Sequence, residues 1–162
     1  ALGEAADHEQ AEPVGVRDHW DAEITAHGSD GAKHTAIGEI HFGWVLEGRA
    51  VQDVWIIPRP AGGPAFPIAG NWYGTTLRVY DPSMSAWRIS WFDPGRSVFR
   101  QQIGRLCGED IVQEGTTEAG DLTRWSFTEI TEDSFHWLGE VKPATAADWR
   151  LVVDVMAKRR KG

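Results

Sequence analysis

The stretch GTTLRVYDPSMSAWRISW, residues 74–91, decides the fold. Two runs alternate with period two around Asp81-Pro82-Ser83. Trp87, Ile89 and Trp91 alternate with Arg88 and Ser90, and Tyr73, Thr75, Leu77 and Val79 alternate with Thr76 and Arg78. Side chains two apart share one face of a strand, so each run reads as a strand with one apolar side. Proline fixes φ near the value a turn needs at its second position, and aspartate bonds its own backbone there. The stretch is therefore a β-hairpin, and Asp93-Pro94-Gly95 ends it with a second turn.

The same reading extends in both directions. Strand-like segments are expected at about 19–25, 35–46, 50–57, 72–80, 87–92, 97–106, 111–114, 122–130, 135–141 and 149–157. Turn signals separate them, among them Gly28-Ser29-Asp30-Gly31, Glu47-Gly48-Arg49 and Gly108-Glu109-Asp110. The Gly/Pro-rich stretch from Pro58 to Asn71 is the longest connection and is too short for a domain linker. No long 3.6-residue period separates the segments, which argues against βαβ units. A meander of about ten strands must curl, and closure removes its exposed edges. The expected fold is all-β, a single closed antiparallel up-and-down barrel of about ten strands. Residues 1–15 carry no apolar period and read as a flexible N-terminal tail, with the barrel domain over 16–162.

Composition narrows the function classes. The formal net charge is −8, which repels a phosphate backbone, so no nucleic-acid partner is expected. The one dense basic run, Lys158-Arg159-Arg160-Lys161, reads as a solvated end. No 18-residue apolar run exists and no signal-peptide pattern is visible, so no membrane association is expected. The single Cys107 fits a reducing compartment, hence a cytoplasmic location. Nine tryptophans stand out against the roughly two that average usage gives.

The more apolar parity of each strand should face the barrel interior. That places Trp44, Trp55, Trp87, Trp91, Trp125, Trp137 and Trp149 inside, together with Tyr73, Thr75, Phe99 and Gln101. A ten-stranded barrel is wider than the eight-stranded kind that side chains just fill. Two interiors follow: a cavity walled by indoles, or a solid core of interlocked rings. Arg78, Arg100 and Arg124 fall on the outer parity, where Glu129, Glu140 or Asp154 could pair with them, unless a bulge turns them inward.

The segments GWVLEGRAVQDVWIIP, GTTLRVYDPSMSAWRISW, RWSFTEITEDSFHW and WRLVVDVMAKRR together resemble a bacterial calycin-like family of uncharacterised barrel proteins. The shared elements are the turn Leu46-Glu47-Gly48-Arg49, the Arg-x-Tyr-Asp element Arg78 to Asp81, and the strand Arg124 to Phe127. The resemblance covers residues 35 to 160 and implies a lipocalin or fatty-acid-binding-protein type of barrel. It implies no single activity, because that superfold hosts carriers and enzymes alike.

Known site chemistries are poorly represented. The six histidines show no H-x-H or H-x-x-x-H spacing, and the last strand lacks the histidine that holds the iron in the haem-binding nitrobindin-type barrels, which are distant relatives in shape of the family that the chain resembles. No metal and no cofactor are expected. There is no G-x-S-x-G elbow and no phosphate-binding loop, since Gly62-Gly63 lies between prolines. Asp53 is the exception. It sits between Val51 and Trp55 on an apolar parity, where a carboxylate is costly unless paired.

Three functions are compatible with these residues. The barrel binds a small hydrophobic or aromatic molecule, with Trp44, Trp55, Trp91, Trp125 and Trp137 as walls and Tyr73, Thr75 and Gln101 orienting the ligand. Alternatively it is an acid–base enzyme of isomerase, cyclase or hydratase type, with Asp53 as catalytic proton shuttle. The third is a filled, structural barrel that could form a homodimer. Far-UV circular dichroism should show mostly β-structure and under about 15% helix, and helix above about a third would exclude the barrel.

Overall fold

The computed structural model describes residues 18–57 and 72–161. The expected tail over 1–15 and the Gly/Pro-rich connection over 58–71 lie outside the described residues. Ten strands run in chain order: β1 Asp18–His27, β2 Lys33–Val45, β3 Ala50–Ile57, β4 Trp72–Asp81, β5 Ala86–Asp93, β6 Val98–Cys107, β7 Asp110–Thr116, β8 Leu122–Thr128, β9 Ser134–Lys142 and β10 Arg150–Arg159. Every strand pairs antiparallel with its chain neighbour, and β1 pairs with β10 to close the barrel. The fold is the expected all-β, closed, up-and-down barrel. The eighth strand stops two residues before its expected end at Ile130, because Glu129 takes a left-handed φ of 50°.

The turns show why the chain meanders. Asp81-Pro82-Ser83-Met84-Ser85 and Asp93-Pro94-Gly95-Arg96-Ser97 share an Asp-Pro start and a left-handed serine, with φ of 48° at Ser85 and 53° at Ser97. The Asp81 carboxylate accepts from the Ser83 N–H at 3.0 Å, and the Ser83 hydroxyl and Arg88 hold its carboxyl below the usual range. Asp93 accepts from the Arg96 N–H at 3.1 Å. These two hairpins sit at opposite ends of the barrel.

Closure at the β1/β10 seam uses the basic run. Arg159 pairs with Asp18 and stacks over the Trp20 ring at 4.4 Å, and Arg160 pairs with Asp21. His27 Nε2 lies 2.6 Å from Asp154 on the same seam. Arg159 and Arg160 are thus a latch between the first and last strands and not a solvated end.

Register fixes which side chains fill the interior. Asp53 faces Thr76, which faces Trp91; Val51 faces Arg78, which faces Ile89, which faces Gln102. The inward residues of β4 are therefore Trp72, Gly74, Thr76, Arg78 and Tyr80, and those of β6 are Val98, Arg100, Gln102 and Gly104. This reverses the expected parity of both strands. Tyr73, Thr75, Leu77, Val79, Phe99, Gln101 and Ile103 lie outside, with Val79 and Phe99 exposed. In β2, β3, β5, β8 and β9 the expected inward sets are found, and β10 departs from its own only at its start. A bulge between Leu151 and Val153 shifts β10, so Leu151 registers with the outward Glu140. Trp149 lies outside, beneath Arg124 at 4.3 Å. Arg124 grips Glu140 through two hydrogen bonds of 2.7 and 3.0 Å, as its outward parity suggests.

Eight of the nine tryptophans face inward, Trp20 and Trp72 taking the place of Trp149 in the expected set. Trp55, Trp72, Trp91, Trp125 and Trp137 form one block with centroids 5.3–6.4 Å apart. Four of these seven contacts are T-shaped, the arrangement that the ring quadrupole favours, and the other three are tilted. Toward the opposite end, Trp20, Phe42, Phe127 and Phe135 form a second cluster. Large rings on one strand need small residues on the next. A Cβ at Gly74 would come within 2.3 Å of the Phe92 carbonyl and 2.7 Å of the Trp91 ring. Since the clash includes backbone, Gly74→Ala should lower stability by about 1–3 kcal/mol in thermal or chemical denaturation.

Candidate functional site

One polar cluster sits inside this aromatic interior. Asp53 projects from β3, Arg78 from β4 and Gln113 from β7, and none is more than 3% exposed. The Arg78 Nη1 donates to Asp53 Oδ2, and the Thr76 N–H donates to Asp53 Oδ1 at 3.0 Å. Arg78 Nε donates to Gln113 Oε1 at 3.1 Å, and the guanidinium stands 5.7 Å over the Phe127 ring. β3 and β4 are neighbours, but β7 is three strands away, so Arg78 reaches across the interior to hold it.

The cluster separates two regions. On one side is the indole block, against which Arg96 packs 5.4 Å from the Trp72 ring while its Nε donates to the buried Asp93 at 2.7 Å. On the other side, between β4, β5, β6 and β7, is a recess of about 200 Å³. Its floor is Arg78, Gln113 and Ile89; its walls are Tyr80, Trp87, Gly104 and Ile111. Tyr80 and Trp87 meet edge-on with centroids 5.4 Å apart. Ser85, Arg105 and Leu106, all exposed, form the rim, so the recess opens at the end that carries the β4–β5 and β6–β7 turns. The space exists partly because Gly104 has no side chain between Ile89 and Gln113.

The residues singled out in the sequence divide among these places. Asp53 is fully buried, with both oxygens engaged. Trp55, Trp91, Trp125 and Trp137 come together in the indole block, packed against one another. Trp44 faces inward opposite Val51, half-buried. Tyr73, Thr75 and Gln101 are not with them. Thr75 bonds across the outer face, donating to the Asp53 carbonyl at 2.6 Å and accepting from Gln52 at 3.0 Å. Gln101 is exposed on the outer face. Tyr73 and Thr75 instead border an outer groove of about 460 Å³ with Phe92 and Phe99.

Arg78, Tyr80, Trp87 and Gln113 are the recess residues that sequence reasoning did not assign to a site. One signal pointed to Arg78: a carboxylate facing inward at Asp53 requires a cation within reach. Arg100 also carries inward parity, opposite Trp91, and His136 lies outside against Asp154 at 3.4 Å.

Among the described residues no group of three histidine, cysteine or acidic side chains could hold a metal ion, and no helix is long and apolar enough to cross a membrane. Neither a protein-family model nor a curated protein matches the chain. The closed ten-strand barrel is consistent with the calycin-like resemblance.

The energetic weight of the cluster is measurable. Removing one partner of a buried pair leaves the other charge uncompensated. Arg78→Met should therefore cost about 3–5 kcal/mol in chemical denaturation. Asp53→Leu combined with Arg78→Met should cost less than the sum of the two single changes, because it removes both charges together. Additive costs would show that the pair does not interact.

Proposed function

We propose that this barrel binds a small apolar or aromatic molecule in the recess between β4 and β7. The observation that carries this reading is the recess itself: aromatic walls, a polar floor held rigid by the Asp53–Arg78–Gln113 bonds, and an open rim. Ligand sites of this kind are apolar clefts with a few fixed polar groups. At about 200 Å³ the space is below the ~300–1,000 Å³ of drug-sized sites, so a one-ring molecule suits it better than a lipid tail. The calycin-like resemblance is compatible with this reading, since that superfold includes carriers as well as enzymes.

The geometry favours binding over acid–base catalysis. Asp53, the residue a proton shuttle would need, has Oδ1 on the Thr76 amide and Oδ2 on Arg78, and it is not among the recess-lining side chains. Proton transfer requires a donor or acceptor within hydrogen-bond reach of the substrate.

Trp87→Ala and Trp149→Ala separate the recess from the rest of the aromatic content. Titration with one-ring aromatic compounds, followed by calorimetry, should give saturable binding. Trp87→Ala should weaken it about tenfold or more, the loss expected for a ring wall worth ~1.5–3 kcal/mol. Trp149→Ala, outside beneath Arg124, should leave it unchanged. Saturable binding that is indifferent to Trp87 would move the site elsewhere.

A further inference from the structure

We infer that the recess selects a planar apolar molecule bearing an uncharged carbonyl-type oxygen, which it reads through the Gln113 amide. This rests on the recess being the binding site. Gln113 is fully buried, lines the recess, and its Nε2 has no hydrogen-bond partner among the described residues. The orientation of that amide is fixed by chemistry. Arginine carries donors only, so the Gln113 atom that meets Arg78 Nε must be the oxygen. The NH₂ group is thereby left as the free end. The hydrogen bonds of Arg78, another recess-lining residue, to Gln113 and Asp53 use Nε and Nη1, so its Nη2 remains as a second donor. The floor therefore offers donors and asks for an acceptor.

Charge decides which acceptor. Arg78 is already neutralised by Asp53, and both are buried. A ligand carboxylate would put a second anion on one cation where water is scarce, at a desolvation cost with no matching attraction. Arg105 is the other cation at the recess, and it stands exposed at the rim where solvent screens it. A carbonyl oxygen meets both floor donors without that cost. An apolar molecule lacking oxygen leaves the Gln113 donor unpaired, which is the larger penalty for a buried polar group. The walls set the remainder: Tyr80, Trp87 and Ile111 accept a flat apolar body.

Three probes of nearly equal size test this on the intact protein: acetophenone, ethylbenzene, in which CH₂ replaces the carbonyl, and benzoate. Calorimetry should rank acetophenone about tenfold tighter than ethylbenzene, with benzoate weaker than acetophenone. Either ring shifts nearby resonances through its ring current, but only acetophenone should move a Gln113 side-chain N–H proton downfield, as a new hydrogen bond does. Gln113→Glu keeps an acceptor for Arg78 but loses the free donor. It should cut the preference for acetophenone several-fold, leaving Arg78 as the remaining donor, while retaining ethylbenzene binding. Equal affinity for acetophenone and ethylbenzene would overturn the acceptor assignment and leave the recess as a purely apolar site. Benzoate binding tightest would overturn the uncharged class. Binding of none of the three would overturn the recess itself as a site. Should Gln113→Glu fail to fold, the three-probe ranking and the Gln113 amide shifts on the unaltered protein decide the question alone.

Discussion

The interior is organised around the ion pair between Asp53 and Arg78. Both groups are withdrawn from water, so each requires the other. Asp53 registers with Thr76, one inward step from Arg78, so the pair is a diagonal contact on neighbouring strands. Arg78 then reaches Gln113 on β7 and the face of Phe127 on β8. One side chain thereby joins four strands from both walls of the barrel. A hydrophobic replacement of matched volume could hold the strands as firmly, but it would not define one rotation of β7 relative to β4. The cluster also divides the interior, since packed indoles lie on one side of it and open space on the other.

The indole block shows the other constraint, which is volume. Eight inward tryptophans would overfill a barrel whose remaining inward positions were also large. The positions beside them are glycine instead: Gly74 against Trp91, and Gly139, where a Cβ would meet Val153 at 2.7 Å and Trp137 at 2.9 Å. The Trp91 ring lies against the bare backbone of the next strand and the Trp137 ring against the glycine two residues on in its own, which leaves room for the rings to meet edge to face. Alternation of very large and very small residues on the inner surface is how a barrel fits its taper. Gly104 follows the same rule between Ile89 and Trp87, and the space it leaves contributes to the recess.

The number of strands, their order and the closure were legible in the sequence, because turn chemistry and period-two alternation act locally. β3 was read with its observed bounds and face, since Val51, Asp53, Trp55 and Ile57 are all buried. The facing of β4 and β6 was not legible by apolarity. Those two strands supply the polar interior, Arg78 and Thr76 from one and Gln102 from the other, where Gln102 donates to Thr123 at 3.2 Å. Their outward sides carry Tyr73, Val79 and Phe99, so the more apolar parity is the wrong one. Register held the missing information. The Asp-Pro hairpin pairs Asp81 with Ala86 and so Tyr80 with Trp87. With Trp87 inside, Tyr80 and Arg78 must be inside too. Apolar counting judged each strand alone, whereas the hairpin ties the face of one strand to the face of the next. Trp149 was misplaced for a different reason: the β10 bulge shifts the period between it and Val153.

Four buried polar atoms have no protein partner among the described residues: the Trp20 and Trp55 indole nitrogens, Gln102 Oε1 and Gln113 Nε2. They differ in what surrounds them. Each indole nitrogen belongs to a ring whose apolar area is buried in one of the two aromatic clusters. Burial of a large ring contributes several times the ~1–3 kcal/mol that an unmade hydrogen bond costs, so packing accounts for tolerating them. Gln102 keeps its donor end satisfied by Thr123, which leaves one lone-pair acceptor unmet, the milder case for a buried group. Gln113 has no such compensation. Its two methylene groups are too small an apolar area to justify full burial, its oxygen is committed to Arg78, and its Nε2 is left without a partner in a residue that lines the recess. Leucine would fill the same volume but leave the Arg78 Nε unpaired, and glutamate would satisfy Arg78 but add a second buried anion. Glutamine is the residue that serves Arg78 without charge, and the free donor beside the recess is the unavoidable consequence of that choice.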